Sequence, residues 1–469
     1  MRIAYLSPLP PQTSGIADYS AELLPSLARH FDVELMVEDG INVAPELSTA
    51  FPTHSLRRFS ELLVSGRFDA ALYHLGNNRD FHAGIYRQLL AHPPSGPPAV
   101  LVLHEYVVHH LVRDVTLHAG DPDGYVEAMR WCYGRTGEAV ARRAVATGVP
   151  LDPFRFPLFE RAVDAAAGVI VHNRTTGDRV LASRPGARLA VVPHHLSLAG
   201  LPAVSREEAR ARLGIAPEDF VVATFGFLTE AKRLPVLLRA FARLRSELPP
   251  DRAAYTRLQL VGEVSPHYDF DRAAPPELRG GVEVAGRLGL DRFLLHMAAC
   301  DVAVNLRHPT AGETSGTLVR LLGLGKPVIV TRAGAFAEIP DGCCAKVALD
   351  EEEEELLVAM LRALADDPGL RQAMGDNARK HAGAQMPETS AAAYAEMVRR
   401  AVKERWRPAP CPPPLAPYAP HDLFAELVRD TSADLADLGA GENDGGVLGP
   451  VAQALVELDL DRAGRGAAS

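Results

Sequence analysis

A loop of small polar residues follows one of the buried strand patterns in the second half of the chain. The segment reads NLRHPTAGETSG at residues 305–316, and it ends where a helix is predicted to begin. Hydroxyls and backbone N–H groups at a helix N-terminus bind anions. The residues placed there are Thr314, Ser315, Gly316 and Thr317. Glu313, at the lip of the loop, can accept hydrogen bonds from the hydroxyls of a ligand such as a sugar. The alternative is that Thr314 or Ser315 only caps the helix.

A basic pair stands at a second helix entrance, in FGFLTEAKRLPVLLRAF at residues 225–241. A glycine ends the strand there, a polar loop follows, and Lys232 and Arg233 precede the helix. Cations are unfavourable at this end of the helix dipole, so a bound anion would compensate for them. The alternative is a pair of solvated surface cations, and we prefer the phosphate-binding interpretation.

The loop after the first strand offers a third position of this kind. It reads SPLPPQTSGIADYSAELL at residues 7–24, a proline-rich turn that leads to Gly15 at a helix start. Ligands of a doubly wound sheet lie beyond the carboxyl ends of its strands, and a glycine there allows an anion to come close. A plain β–α turn explains the same residues. The loop lacks the G-x-G-x-x-G pattern, which disfavours a dinucleotide site.

His104 ends a buried strand and is followed by Glu105, so it is expected to project from the carboxyl edge of the sheet. Taken alone, a strand-end histidine is more often structural than catalytic. Six further histidines receive no catalytic role, namely His74, His82, His109, His110, His194 and His195. No Ser-His-Asp or Cys-His pattern with a nucleophile elbow is present, and no D-x-D-like metal motif follows a suitable strand. We therefore assign no covalent nucleophile, no metal and no cofactor.

Two series of short apolar runs must position these residues. The first series lies at 2–7, 32–37, 68–75, 98–104, 168–173 and 189–194. The second lies at 220–226, 258–263, 282–286, 301–307 and 327–330. Helical patterns lie between them, at 15–29, 205–215, 233–248, 291–299 and 316–324. Continuous apolar strands that alternate with helices indicate βαβ units and parallel sheets covered on both faces.

The last third of the chain contains two compositionally distinct segments. The acidic run DEEEEE at 350–355 is interpreted as a solvated helix N-terminus rather than a cation site. The stretch RPAPCPPPLAPYAP at 407–420 cannot form a core helix or a central strand and is predicted to be a linker. An amphipathic helix is expected from His421 to Leu438, but too little apolar sequence remains for an independent domain.

The bulk composition excludes several classes of protein. The 469 residues carry a net charge of -10, which argues against a general nucleic-acid binder. The five cysteines are an odd number without metal-ligand spacing, which fits reduced thiols. No apolar run approaches the roughly 18 residues of a membrane span. The beginning of the sequence lacks a signal-peptide pattern. We expect a cytoplasmic protein, with any membrane contact peripheral and at the inner face.

In order along residues 1–406, these segments resemble the retaining glycosyltransferases of family 4, which have the GT-B fold. The motifs that carry the resemblance are SGIADYS, the strand ending in Leu103-His104, VVPHH at 191–195, GFLTEAKR, GETSG, GKPVIVT and GAFAEIPDG at 334–342. Each motif is weak alone, and together at the correct spacing they are specific.

The resemblance implies a role for each matching residue. The family's cleft loop after the first strand contacts phosphate, which corresponds to Gly15 here. Its basic residues after the first strand of the second domain bind the donor diphosphate, which corresponds to Lys232 and Arg233. Its cleft histidine lies near the transferred sugar and corresponds to His104. The first glutamate of its paired motif contacts the donor sugar and corresponds to Glu313.

The sequence departs from the family at two positions. The second glutamate of the paired motif, which usually holds the ribose diol, is replaced by Arg320 or a neighbouring leucine. A guanidinium only donates hydrogen bonds, so Arg320 would pair with Glu313 or reach a phosphate, or else it marks a lost donor site. The usual arginine of the diphosphate pair is replaced by Phe227.

We predict an α/β protein of the GT-B type, with two doubly wound Rossmann-like domains that face a cleft. The acceptor-side domain spans 1–200 and the donor-nucleotide domain spans 201–385. A helix at 386–406 returns to the first domain, and 407–469 forms the linker and a partly mobile tail.

The predicted activity is that of a hexosyltransferase. It moves a sugar, with retention and without a metal, from a nucleoside-diphosphate-sugar donor to a glycan or lipid-linked acceptor in surface polysaccharide synthesis. The alternatives are a non-catalytic subunit that binds sugar nucleotides or assists assembly, and a sugar-nucleotide epimerase on the same fold.

Overall fold

The first half of the chain forms a seven-stranded parallel sheet. The computed structural model describes residues 1–265, 281–409, 431, 435 and 446–454. The strands are β1 (Arg2–Leu6), β2 (Asp32–Val37), β3 (Thr53–Ser55), β4 (Ala70–Leu75), β5 (Ala99–Leu103), β6 (Gly168–Val171) and β7 (Leu189–Val191). Their order is β3-β2-β1-β4-β5-β6-β7, with Ile3 of β1 in register with Val33 on one side and Ala70 on the other. The winding direction of the sheet therefore reverses between β1 and β4.

A second parallel sheet of six strands follows. It contains β8 (Phe220–Phe225), β9 (Thr256–Val261), β10 (Val282–Val284), β11 (Val302–Asn305), β12 (Val328–Thr331) and β13 (Ala345–Val347). The order is β10-β9-β8-β11-β12-β13, so this sheet reverses between β8 and β11. Ligands of open α/β sheets bind at such reversal points, beyond the carboxyl ends of the strands. The loops after β1, β4, β8 and β11 are therefore the places to look for a site.

Helices cover both sheets. Those of the first half are α1 (Gly15–Leu27), α2 (Pro45–Ala50), α3 (Phe59–Val64), α4 (Arg79–Leu90), α5 (His109–Val115), α6 (Pro122–Thr147), α7 (Glu160–Asp164) and α8 (Arg174–Ser183). Those of the second half are α9 (Arg206–Leu213), α10 (Leu234–Glu247), α11 (Pro250–Ala254), α12 (Leu290–Ala299), α13 (Gly316–Gly323), α14 (Gly334–Ala337), α15 (Glu353–Asp366), α16 (Pro368–Gly383) and α17 (Pro387–Lys403). Short 3-10 turns lie at Leu56–Arg58, Leu117–Ala119, Leu198–Gly200 and Glu230–Lys232.

The predicted α/β class with two parallel sheets is confirmed, and the ends of the apolar runs predicted as strands match the strand ends to within about three residues. Of the four three-residue edge strands, the sequence analysis missed β3 and β13. The helix predicted at 205–215 corresponds to α9, which begins with a capping box between Ser205 and Glu208. The predicted helix over 233–248 corresponds to α10.

Helix α17 packs against α1 of the first half. The hydroxyls of Tyr19 and Tyr394 lie 2.8 Å apart, and both side chains are buried. Trp406, beyond the end of the helix, is also buried in this cluster. The helix therefore packs with the elements of the first sheet. The domain boundaries given above stay predictions.

The acidic run is mostly exposed, as predicted, and only Glu353 is buried. Glu353, Glu354 and Glu355 open α15, and their carboxylates pair with Arg233, Arg239 and Arg243 respectively. These pairs fix α15 against the neighbouring α10. The prediction of a solvated helix N-terminus is confirmed, with Glu353 as the buried exception.

The predicted helix at His421–Leu438 and most of the proline-rich linker, with Cys411, lie outside the described residues apart from isolated positions. Arg407 is described at the start of this segment, and its guanidinium donates to the carbonyl of Gly96 at 2.9 Å. None of the described helices combines the length and apolar character that a membrane span requires.

Candidate functional site

A cavity of about 270 Å³ lies where the carboxyl ends of the two sheets face each other. Its walls come from the loops after β1, β4, β5, β6 and β7 on one side and from the loop after β11 on the other. The lining residues are Ser14, Gly15, Ile16, Asn77, Asn78, Phe81, His82, His104, Glu105, His172, His194, Glu313, Thr314 and Gly316. Five residues singled out from the sequence, from both halves of the chain, meet in this cavity.

Gly15 is the first residue of α1, and its neighbour Ser14 caps the helix by accepting from Ile16 N at 3.2 Å. A Cβ built on Gly15 would meet no atom within 4 Å. The glycine therefore leaves open space at a helix N-terminus that faces the cavity, which is the geometry an anion needs.

The GETSG loop is docked onto the first sheet. Asn173 Nδ2 and Thr176 Oγ1 donate to the carbonyl of Gly312 at 2.7 and 3.0 Å. The backbone N–H of Tyr106 donates to Ala311 O at 2.8 Å. Gly312 has φ +78, and a Cβ there would lie 2.4 Å from the ring of Tyr106. The first glycine of the motif is thus required for contact between the two halves of the chain.

The polar residues of this loop have different surroundings. Ser315 caps α13 by accepting from Leu318 N at 3.3 Å, and its Oγ lies 2.8 Å from Thr317 Oγ1. Thr314 Oγ1 accepts from Asn173 at 3.4 Å and lines the cavity. The capping alternative therefore accounts for Ser315. Thr314 and Gly316 remain directed to the cavity as predicted anion contacts.

The carboxylate of Glu313 is oriented by its own loop. Oε2 accepts from Thr310 Oγ1 at 3.0 Å and from Ala311 N at 2.7 Å. Oε1 lies 3.2 Å from Arg307 Nε. These contacts hold the side chain at the cavity wall. Its role towards a sugar stays a prediction.

His104 belongs to a cluster of imidazoles around the ring of Tyr19. Its Nε2 lies 3.0 Å from His74 Nδ1, and its Nδ1 lies 3.2 Å from His172 Nε2. Burial and the neighbouring His172 lower the pKa of His104 well below its usual range. His104 is therefore neutral at physiological pH, which suits a group that positions a sugar and not one that donates a proton.

Lys232 lies beyond the end of β8 and is almost fully buried. Its Nζ donates to Phe225 O at 2.6 Å and to Asn305 Oδ1 at 3.2 Å. Burial, and then the nearby charge of Arg307, lower its pKa to about 7. Lys232 and Thr317 both lie next to Gly226. A Cβ built on this glycine would lie 3.6 Å from Lys232 Nζ and 3.5 Å from Thr317 Cγ2, which places the lysine beside the start of α13.

Two predicted donor contacts point elsewhere in this structure. The guanidinium of Arg233 is paired with Glu353 at the start of α15. The guanidinium of Arg320 lies 3.3 Å from Glu22 and 3.6 Å from Asp18, both on α1 of the other half. Arg320 therefore does not form the pair with Glu313 that the sequence analysis had allowed. Leu321, the leucine next to it, is buried in the core. The donor-binding roles of Arg233 and Arg320 stay predictions and require these pairs to break.

Sequence reasoning missed Glu105 as a site residue. Its carboxylate lines the cavity and accepts from Asn77 N at 2.8 Å. Burial, and then the charge of Glu313, raise its pKa to about 7. His172 and His194 were likewise not assigned to the site. The signal available was position alone, since each follows an apolar run at the same sheet edge.

Within the described ranges, no three His, Cys, Asp or Glu side chains are placed to hold a metal ion. Metal independence stays a prediction of the sequence.

Comparison with known proteins agrees with this geometry. Residues 219–366 match the family model described as Glycosyl transferases group 1. The chain is 29% identical over 308 residues to a D-inositol 3-phosphate glycosyltransferase of Kineococcus radiotolerans, across 60% of this chain and 69% of that protein. The predicted resemblance to family 4 glycosyltransferases is confirmed, as is the prediction that the chain is a glycosyltransferase enzyme.

Solved structures share the fold. Sucrose-phosphate synthase from Thermosynechococcus elongatus is 15% identical, with a TM-score of 0.63 over 86% of this chain and 100% of that one. HepE of Anabaena, in complex with UDP, is 17% identical, with a TM-score of 0.56 over 85% of this chain and 100% of that one. The predicted GT-B fold is confirmed.

Proposed function

We infer that this chain, a glycosyltransferase of the GT-B fold, transfers a hexosyl group from a nucleoside-diphosphate sugar with retention of configuration. The acceptor is a hydroxyl of a glycan or of a lipid-linked saccharide, and the product serves surface polysaccharide synthesis in the cytoplasm. The observation that carries the proposal is the cavity in which Gly15, His104 and Glu313 meet the start of α13. The complexes of HepE with UDP and with UDP-glucose support a nucleotide-sugar donor.

The departing diphosphate is the charge that the site must stabilise. The bond between the anomeric carbon and the phosphate oxygen breaks, and the electron pair stays on the diphosphate. Lys232 and the helix N-termini at Gly15 and Gly316 stabilise that charge without a metal. The acceptor oxygen bonds to the anomeric carbon on the face that the phosphate leaves, and its proton passes to a phosphate oxygen.

The sugar is held between carboxylates and neutral imidazoles. Glu313 accepts hydrogen bonds from sugar hydroxyls, and His104 packs at the end of the first sheet beside it. Glu105, with its pKa raised to about 7 by burial, adds a second hydrogen-bonding carboxyl to the same wall. The arrangement suits recognition of several hydroxyl groups.

A second class of molecule is a candidate acceptor. The relatives of this chain are named D-inositol 3-phosphate glycosyltransferases, which favours a phosphorylated cyclitol. The residues that line the cavity include no lysine or arginine, and two of them are glutamates. Lys232 is assigned to the donor diphosphate in this proposal, so no lining cation is left for the phosphate of an acceptor, and we prefer an uncharged acceptor hydroxyl.

The test is transfer from radiolabelled UDP-, ADP- and GDP-hexoses in EDTA. Oligosaccharides, lipid-linked saccharides and inositol 3-phosphate are supplied separately as acceptors. We expect one donor to yield product with an uncharged acceptor and to do so without divalent metal. Activity that disappears in EDTA and returns with Mg²⁺ or Mn²⁺ would contradict the metal-free mechanism. Product with inositol 3-phosphate alone would replace the preferred acceptor by the second candidate.

A further inference from the structure

We propose that Arg307 supplies the diphosphate-binding guanidinium that the chain lacks at position 227, acting together with Lys232 and Asn305. The inference rests on the proposed function, because it concerns the diphosphate of the donor. The family resemblance places an arginine of the diphosphate pair at Phe227, and this uncharged side chain is 52% exposed. Position 227 therefore supplies no cation to a diphosphate.

The carboxyl end of β11 brings the three groups together. β11 ends at Asn305, and Arg307 follows two residues later, with its backbone N–H donating to Thr331 Oγ1 at 2.9 Å. Lys232 reaches the same strand end from the loop after β8, where its Nζ donates to Asn305 Oδ1 at 3.2 Å. β8 and β11 are adjacent in the sheet and flank its reversal point. This is the position at which doubly wound sheets bind phosphates.

Two buried donor atoms at this strand end have no hydrogen-bond acceptor. Asn305 Nδ2 is unpaired, although Oδ1 of the same amide accepts from Lys232. Arg307 Nε also makes no hydrogen bond, since the Glu313 carboxylate 3.2 Å away lies outside hydrogen-bonding geometry. Buried donors are seldom left unpaired, and a diphosphate offers several charged acceptor oxygens. One diphosphate beside Lys232 would pair both donors.

The charges of Arg307 and Lys232 also favour a diphosphate as the ligand. The guanidinium of Arg307 is close enough to Lys232 to lower the pKa of the ammonium group. Two neighbouring cations repel each other, and an anion between them removes that cost. Glu313 is the carboxylate beside Arg307, and a diphosphate that takes over the guanidinium would leave Glu313 to accept from the donor sugar. Arg307 would thus couple diphosphate binding to sugar recognition.

The experiment measures nucleoside-diphosphate affinity by calorimetry, using whichever of UDP, ADP and GDP the wild-type chain binds most tightly. Arg307→Gln should weaken binding by about tenfold or more, the scale of a charge-assisted hydrogen bond. The matched control is Arg252→Gln, because Arg252 pairs with Asp366 on the surface of the same half of the chain. This control should bind as the wild type does.

A relocation variant tests the substitution directly. Phe227→Arg combined with Arg307→Gln returns a guanidinium to the family's usual position, and it should recover affinity to within about threefold of the wild type. Unchanged affinity of Arg307→Gln would overturn the inference. A loss that the relocation variant does not recover would also overturn it. If the wild-type chain binds none of the three nucleotides, the proposed function fails, and the inference fails with it.

Discussion

At the scale of single residues, Lys232 is the group on which the proposed chemistry depends most. The ammonium is buried, and its hydrogen bonds go to a backbone carbonyl and an amide rather than to a carboxylate. A buried cation without a carboxylate partner is costly. The negative charge of a bound diphosphate would offset the cost of burying the ammonium group. The sequence singled out this residue because a basic pair at a helix entrance is locally unfavourable.

Lys232→Ala should weaken binding of the nucleoside diphosphate by about 1.5–3 kcal/mol, as expected for a lost charge-assisted hydrogen bond. Calorimetry measures the loss. The control is Lys326→Ala, because Lys326 also donates to two backbone carbonyls, those of Ala298 and Cys300, away from the cavity. Equal affinity in wild type and Lys232→Ala would remove this lysine from the site.

Binding should also depend on pH. The pKa of Lys232 is lowered to about 7 in the free protein, chiefly by burial, so the ammonium is progressively lost above that pH. The diphosphate binds the charged form, so binding above pH 7 takes up a proton and weakens by up to about tenfold per pH unit. Calorimetry at pH 8 in two buffers of different ionisation enthalpy measures the uptake. Lys232→Arg keeps its charge and should flatten the profile; a profile identical to that of the wild type would contradict the assignment.

The contacts of other site residues could not be predicted from the sequence. Arg233 looks identical to Lys232 in the local pattern, but its backbone is left-handed at φ 52 and its side chain turns to Glu353. The partner lies 120 residues away, so local sequence cannot reveal it. The histidine cluster was missed for the same reason, because His74, His104 and His172 come together only through the order of β4, β5 and β6.

At the scale of elements, the N-terminus of α1 is the simplest part of the site. Ser14 caps the helix, and Gly15 keeps the space in front of it open. The strand and helix that flank this loop were predicted correctly, because a continuous apolar run and a capped helix are strong local signals. The edge strand β3 was missed, since its sequence Thr53–Ser55 is polar and only three residues long.

Gly15→Val should leave the melting temperature nearly unchanged, because a Cβ at this position meets no atom within 4 Å in the free protein. Transfer activity and nucleotide affinity should fall, because the side chain would occupy space in front of the helix. The control is Gly186→Val, at an exposed glycine that is equally open and does not line the cavity. Full activity of Gly15→Val would show that no ligand group approaches this helix end.

At the scale of the whole molecule, the two halves of the chain are joined around the cavity by polar contacts. Tyr106, Asn173 and Thr176 hold the loop before α13 from one side. Glu338 in the second half accepts from the backbone N–H groups of Arg174 and Thr175 at 2.9 and 2.7 Å. The two-sheet architecture was predictable from strand and helix periodicity. These joining contacts were not, because each depends on how two separate sheets meet.

Arg320 belongs to this junction. Its guanidinium lies between Asp18 and Glu22 of α1, so Arg320→Glu would place three carboxylates together and should lower transfer activity by about tenfold or more. Arg320→Gln should lose less, since it adds no like charge. The control is Arg239→Glu, which reverses a charge paired with Glu354 away from the cavity. Higher activity in Arg320→Glu would instead indicate that the arginine had replaced a donor contact.

The central claim is that this cavity transfers a hexosyl group from a nucleoside-diphosphate sugar with retention. The most direct measurement is NMR of the first-formed product from the preferred donor, with the Lys232→Ala variant run in parallel. We expect the new glycosidic bond to have the anomeric configuration of the donor, and its formation to be slowed strongly in the variant. An inverted configuration, or donor binding with no transfer to any acceptor, would contradict the account.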